Sequence, residues 1–451
     1  MRRQTFAIVI LWLLAVCMIS LLAIGSFPDT AAGYEWSRTY GGHFQDNCFS
    51  LVDTSDGGYL IGGWTDWEFR NASYSWSIDN FFLLKADKNG NQEWYRIYGD
   101  NQSFMGGYVC EAPGGGYVLA GGLGQYDIGS IGLIKVDADG QTLWEKNYRK
   151  GFDGRVKSLA AVPDGYILAG TCNGSVFLMR FDPEGNLIWD CSYDVPGLDA
   201  GRVLPTTDGG FIVAGGPAFM ANSRMFLMKT DAGGNESWIK YYGSEFAGGT
   251  SVIEDRAGGY VIVGHESTTN TWPSEEYQGS DVYVVRTDRD GNVLWDNTYV
   301  TSPDDDYAND IVQADDSGYT VTGTAVRSRS GRYVIDSDAF LLRLDSNGTQ
   351  QWLKKFGSPG KAYGIALLKC DDGAIVLAGE RHNSDILLIK SPDAPDALAP
   401  LEETIKPVEV LLYHHPEIIY CITPLFLAAF VSLSVALITI KRSLDKRKRP
   451  P

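Results

Sequence analysis

Between residues 34 and 390 the chain alternates short apolar runs with glycine- and aspartate-rich breaks, the pattern of β-strands joined by tight turns. The same order of runs returns along the chain. "SLVDT" is followed by "YLIGG", then by "FFLLK", then by "WYRIY". The last run recurs as "WSRTY", "WYRIY", "WEKNY", "WDCSY", "WIKYY", "WDNTY" and "WLKKF", starting at Trp36, Trp94, Trp144, Trp189, Trp238, Trp295 and Trp352. That period of roughly 45 to 58 residues lies in the range of propeller blades. Four strands, a to d, are expected per unit. In strand d the Trp and the aromatic four residues on share a face, as a contact with the next blade requires. Arg38, Arg96, Lys146, Lys240 and Lys354, between those rings, are placed to lay their stems across them.

The first unit supplies a lone d strand and the last only a, b and c. A ring in which the N-terminal strand completes the last blade leaves no open edge. The expected fold is therefore all-β, a seven-bladed β-propeller closed by an N-terminal outer strand, plus a C-terminal transmembrane helix. An open solenoid would leave the complementary half-units unexplained.

The helix is read from "IIYCITPLFLAAFVSLSVALITI", about 23 residues without a charge, followed by "KRSLDKRKRPP". Two arginines and roughly 20 apolar residues open the chain, as in a signal peptide or signal anchor. The predicted division is 1–32 signal segment, 34–390 propeller, 391–417 Pro- and acid-rich stalk, 418–440 transmembrane helix and 441–451 basic cytoplasmic tail. This topology places the propeller outside the cell membrane.

Charge narrows the partners. Setting aside the two N-terminal arginines and the six basic and one acidic residues of the tail leaves 30 basic against 55 acidic residues, net about −25. Such a surface repels nucleic acid. Cys48, Cys110, Cys172, Cys191 and Cys370, outside the apolar segments, are odd in number and lack metal-ligand spacing. Asn71, Asn101, Asn173, Asn235 and Asn347 stand in Asn-x-Ser/Thr triplets and are glycosylation candidates.

Six c–d connections begin with Asp and carry Gly three residues on, as in "DRDGN" from Asp288. The opening resembles a calcium loop. Such a loop of the EF-hand type requires oxygen ligands at positions 1, 3 and 5 and a Glu at 12. Position 3 varies and position 12 is always aromatic, from Tyr98 to Phe356. An Asp that accepts backbone N–H bonds ahead of a glycine at positive φ explains the constant pair as a hairpin.

These units resemble the tryptophan-containing repeats of secreted and membrane-anchored bacterial and archaeal propellers. They are broadly similar to the docking motif of pyrroloquinoline-quinone dehydrogenases and to the Asp-box of sialidases. The spacing from Gly90 to Trp94 departs from the Asp-box by one residue. The resemblance implies a propeller fold; it does not specify an activity.

On the face formed by the b–c and d–a connections, three b–c segments are expanded: "WTDWEFRNASYSWSIDN", "ESTTNTWPSEEYQGSD" and "AVRSRSGRYVIDSD". With blade seven they collect the ligand-binding candidates Trp64, Trp67, Trp76, Trp272, Tyr277, Arg327, Arg329, Arg381 and His382. Aromatics mixed with both signs of charge suit protein or glycan recognition. Asp304, Asp305, Asp306 and Asp310 in "PDDDYAND" are cation candidates, with a solvated acidic loop as the alternative. No nucleophile elbow, Walker loop, HExxH or Rossmann fingerprint occurs. No catalytic residue is assigned and no cofactor is predicted, with calcium kept only as an alternative. Two classes remain open: a membrane-anchored recognition or envelope-assembly module for a cell-surface protein or glycan, and an extracytoplasmic quinoprotein-like oxidoreductase or glycan hydrolase.

Overall fold

A computed structural model describes residues 34–41, 46–66, 79–99, 104–123, 129–152, 154–172, 174–195, 198–217, 224–267, 279–330, 333–357, 360–381 and 385–393. Two compact units divide the chain, Met1–Leu401 and Glu402–Pro451; every described residue belongs to the first. The signal segment and the C-terminal helix expected at 418–440 lie outside the described residues. Among the latter no helix is long and apolar enough to cross a membrane.

The described strands form seven four-stranded antiparallel sheets. In blade one, strand a (Asp46–Asp53), b (Tyr59–Asp66), c (Asp79–Ala86) and d (Gln92–Tyr98) lie side by side in chain order. Blade seven takes a, b and c from Ala362–Lys369, Ile375–Arg381 and Asp385–Ser391, and its d strand from Trp36–Tyr40. Trp36 pairs with Lys390 and Tyr40 with Ile386, so the N-terminal strand closes the ring as the half-units imply.

The patterning follows from stacking. Strands b and c are covered on both faces by neighbouring blades and read as unbroken apolar runs, whereas outer strand d alternates. Each of seven buried clusters joins two adjacent blades; one sets Leu60, Phe81 and Leu83 of blade one against Val109, Leu119 and Val136 of blade two. Full burial of a Leu or Phe contributes roughly 1.5–3 kcal/mol. Stability therefore resides in the seams between blades.

The Asp–Gly turn is part of each seam. Asp288 Oδ1 accepts the N–H groups of Asp290 and Asn292 at 2.9 and 2.8 Å, and Gly291 adopts φ +74°. The neighbouring blade's Trp238 lies over this glycine, so an added Cβ would sit 2.9 Å from the indole. Tyr242 then donates its hydroxyl to the Gly291 carbonyl at 2.9 Å. The same bond joins Tyr40 to Gly90, Tyr98 to Gly140, Tyr148 to Gly185, Tyr193 to Gly234 and Tyr299 to Gly348. Phe356 takes the place of the tyrosine only at the blade seven seam, where c and d come from opposite ends of the chain and no such turn exists. Arg38, Lys146, Lys240 and Lys354 lie 4.0–5.9 Å from the indole centroids of their strands, as expected.

One feature escapes the apolar reading of strand c. In blades one, three, four, six and seven its penultimate basic residue is buried and crosses to the aspartate of the a–b hairpin, as in Lys85–Asp56 at 2.9 Å and Lys229–Asp208 at 3.0 Å. Desolvation works against ionised Asp56, yet bonds from Thr54, Lys85 and the Gly58 N–H hold its carboxyl down at about 2.

Candidate functional site

The expanded connection of blade six is a continuation of its sheet. Strands b (Tyr319–Ser330) and c (Tyr333–Leu344) run on as a two-stranded finger in which Val326 pairs with Ser337 and Ser330 with Tyr333. Arg327 pairs with Asp336 at 2.7 Å and Asp338 at 3.3 Å. Arg329 reaches Asp305 and, at 3.4 Å, Asp304; it also donates to the Tyr307 hydroxyl at 3.3 Å. Backbone bonds from Val326 to Asp305 and from Ser337 to Gly360 fix both sides of the finger. With Arg327 and Arg329 matched, the finger presents Tyr333, 76 % exposed, and Ile335, 52 % exposed.

The aspartates of "PDDDYAND" do not form a solvated loop: Asp305, Asp306 and Asp310 are buried. The reason is local bonding. Asp305 meets Arg329, Asp306 Oδ2 accepts the N–H groups of Thr301 and Ser302, and Asp310 is bonded in the channel. Among the described residues no group of three or more His, Cys, Asp or Glu is arranged to hold a metal ion.

Trp64 is half-buried in strand b of blade one, and Arg381 ends strand b of blade seven opposite Asp385. Trp67, Trp76, Trp272, Tyr277 and His382 lie outside the described residues, as do Asn71, Asn101 and Asn173. Asn235 and Asn347 are exposed in c–d turns, and Asn235 donates its amide to Asp231 at 2.9 Å.

The a strands of all seven blades enclose a central channel containing a cavity of about 780 Å³. Every a–b pairing has a β-bulge at its middle, as between Cys48 and Ser50 or between Ala308 and Asp310. The bulge re-aims one residue per blade: Ser50, Tyr108, Ser158, Arg202, Ser251, Asp310 and Ala366 occupy corresponding places. Ser50 Oγ accepts the Val109 N–H at 3.0 Å, Ser158 Oγ that of Val203 at 3.1 Å, and Asp310 Oδ2 that of Leu367 at 2.9 Å. Arg202 of blade four reaches past blade five to Asp310 of blade six, bonding Ser251 at 3.2 Å on the way. Lys157 and Asp199 pair at 2.7 Å.

Two titratable groups are strongly desolvated, one in the channel wall and one at a blade seam. Burial holds the His265 imidazole down at about 4, and its ring meets Tyr307 edge-on at 5.2 Å. Glu380, in blade seven, accepts the Cys48 N–H of blade one at 3.1 Å; burial pushes its carboxyl up to about 7 despite that bond.

Apart from Asp310, which the sequence offered only as a cation candidate, these channel residues were absent from the sequence-derived candidates. Their signal is one aligned position whose chemistry changes from blade to blade while the flanking Trp, Asp and Gly stay constant.

No family model matches the chain, and no curated protein is significantly similar to it. Among solved structures it is similar to the Dos1 propeller, at 14 % identity over 80 % of this chain and 95 % of that one, with a TM-score of 0.48. It is similar to Chaetomium thermophilum Sqt1 bound to the N-terminus of the ribosomal protein L10, at 11 % identity over 80 % and 100 %, TM-score 0.48. BBS1N in complex with ARL6DN matches at 12 % identity over 84 % and 98 %, TM-score 0.44. The blade count and closure rest on the strand pairing described above.

Proposed function

We propose that this chain is a membrane-anchored, extracytoplasmic propeller that recognises a protein partner, in the cell envelope, through the face bearing the b–c and d–a connections. The observation that carries the reading is the blade six finger. Arg327 and Arg329 are engaged by the finger's own and adjacent carboxylates, which leaves a held Tyr333 and Ile335 as contact surface; rigid aromatic and aliphatic side chains lose little entropy on docking.

Glu35 donates its N–H to Lys390 at 2.8 Å, so the chain enters and leaves the ring side by side at the end of blade seven opposite its b–c connection.

The test is a photoreactive amino acid placed at Tyr333 in cells, with Lys88 in an opposite-face turn as the control position. The reading predicts a discrete protein adduct from 333 and none from 88, and labelling of the propeller by a membrane-impermeant reagent on intact cells. Equal adducts from both positions, no adduct at all, or a propeller shielded from the reagent would overturn it.

A further inference from the structure

We propose that the central channel is a second, separate binding site, for a neutral saccharide. Four observations point there. The cavity, about 780 Å³, falls within the roughly 300–1,000 Å³ of small-molecule sites. Its cations are already matched, Lys157 by Asp199 at 2.7 Å and Arg202 by Asp310. An entering ion would lose its hydration and find no uncompensated opposite charge.

Two wall residues nevertheless keep unused hydrogen-bonding capacity. Asp199 Oδ1 and His265 Nδ1 are buried and without a hydrogen-bond partner among the described residues. A carboxylate oxygen accepts, and a neutral imidazole accepts at one nitrogen while donating at the other. Hydroxyl groups serve both roles, and an uncharged polyol supplies several in fixed geometry.

The remaining wall suits the other side of a sugar ring. Phe246, leading into blade five, lines the cavity together with Phe49 of blade one and Tyr108 of blade two, whose rings lie 5.6 Å apart. In a ring of seven, blade five stands opposite the join of blades one and two. A pyranose has apolar C–H faces for such aromatic walls and hydroxyl edges for Asp199 and His265.

The test uses the full-length chain in detergent, titrated calorimetrically with glucose, galactose, mannose, N-acetylglucosamine and their disaccharides. Glucuronate and pyrroloquinoline quinone serve as anionic comparisons, and Asp199→Asn and Phe246→Ala as variants. Binding of at least one neutral sugar is expected, weakened about tenfold or more in each variant that keeps the wild-type unfolding transition. Phe49→Ala replaces any variant that does not fold. The proposal fails if no neutral sugar binds the folded protein, if the variants bind as wild type does, or if an anionic compound binds more tightly. Crosslinking from Tyr333 is unaffected by any of these outcomes, so the two sites are judged separately.

Discussion

Replacing Tyr242 by Phe removes one oxygen from a buried seam and nothing else. The hydroxyl donates to Gly291 across the join of two blades at 2.9 Å. A hydrogen bond contributes about 0.5–1.5 kcal/mol net, and a buried carbonyl left without its donor costs about 1–3 kcal/mol. The substitution is therefore expected to destabilise by about 1–2 kcal/mol. Phe356 provides the internal control, because no Asp–Gly c–d turn faces it. Urea unfolding followed by tryptophan fluorescence reads both. With a slope near 3 kcal/mol/M, the Tyr242→Phe midpoint falls by roughly 0.3–0.7 M at unchanged slope, while Phe356→Tyr brings no increase. A Tyr242→Phe midpoint within error of wild type, or a gain in Phe356→Tyr, would refute the account of the seam.

Glu380 tests a blade seam and Arg202 the channel wall. The Glu380 carboxyl sits near 7 against an ordinary 4.5, so the folded state favours the protonated form. Its stabilising contribution is full below about pH 4.5 and is lost as pH rises through 7; at 1.36 kcal/mol per unit the loss approaches about 3 kcal/mol, reduced by solvent screening. Glu380→Gln should flatten that part of the profile and raise the urea midpoint at pH 8 relative to wild type; matching profiles from pH 4.5 to 8 would exclude it. Arg202→Met strands the buried Asp310 carboxylate and should cost about 3 kcal/mol. The double variant Arg202→Met/Asp310→Leu should recover at least 1 kcal/mol of this, and strict additivity in the double-mutant cycle would show that the two side chains do not act as a strut.

Much of the architecture was legible because the information is local and repeated. The Trp-to-aromatic spacing, the Asp–Gly turns and the unmatched half-units are read within tens of residues, and they imply strands, blades and closure by Trp36–Tyr40. The repeats also account for the hairpin at Asp288, whose carboxylate is engaged by its own turn. The site was a different matter. Arg327 and Arg329 stand out in sequence as charged loop residues, but the continuation of the sheet places carboxylates beside them and shifts attention to Tyr333 and Ile335. Asp310 lies in an acidic run, yet its partners are Arg202, Ser251 and Leu367, from three other blades. Local pattern determined which segments become strands and in what order they join. Which side chains meet in the channel depends on bulges and ring closure that bring together residues over 100 positions apart, and periodicity carries no record of that convergence.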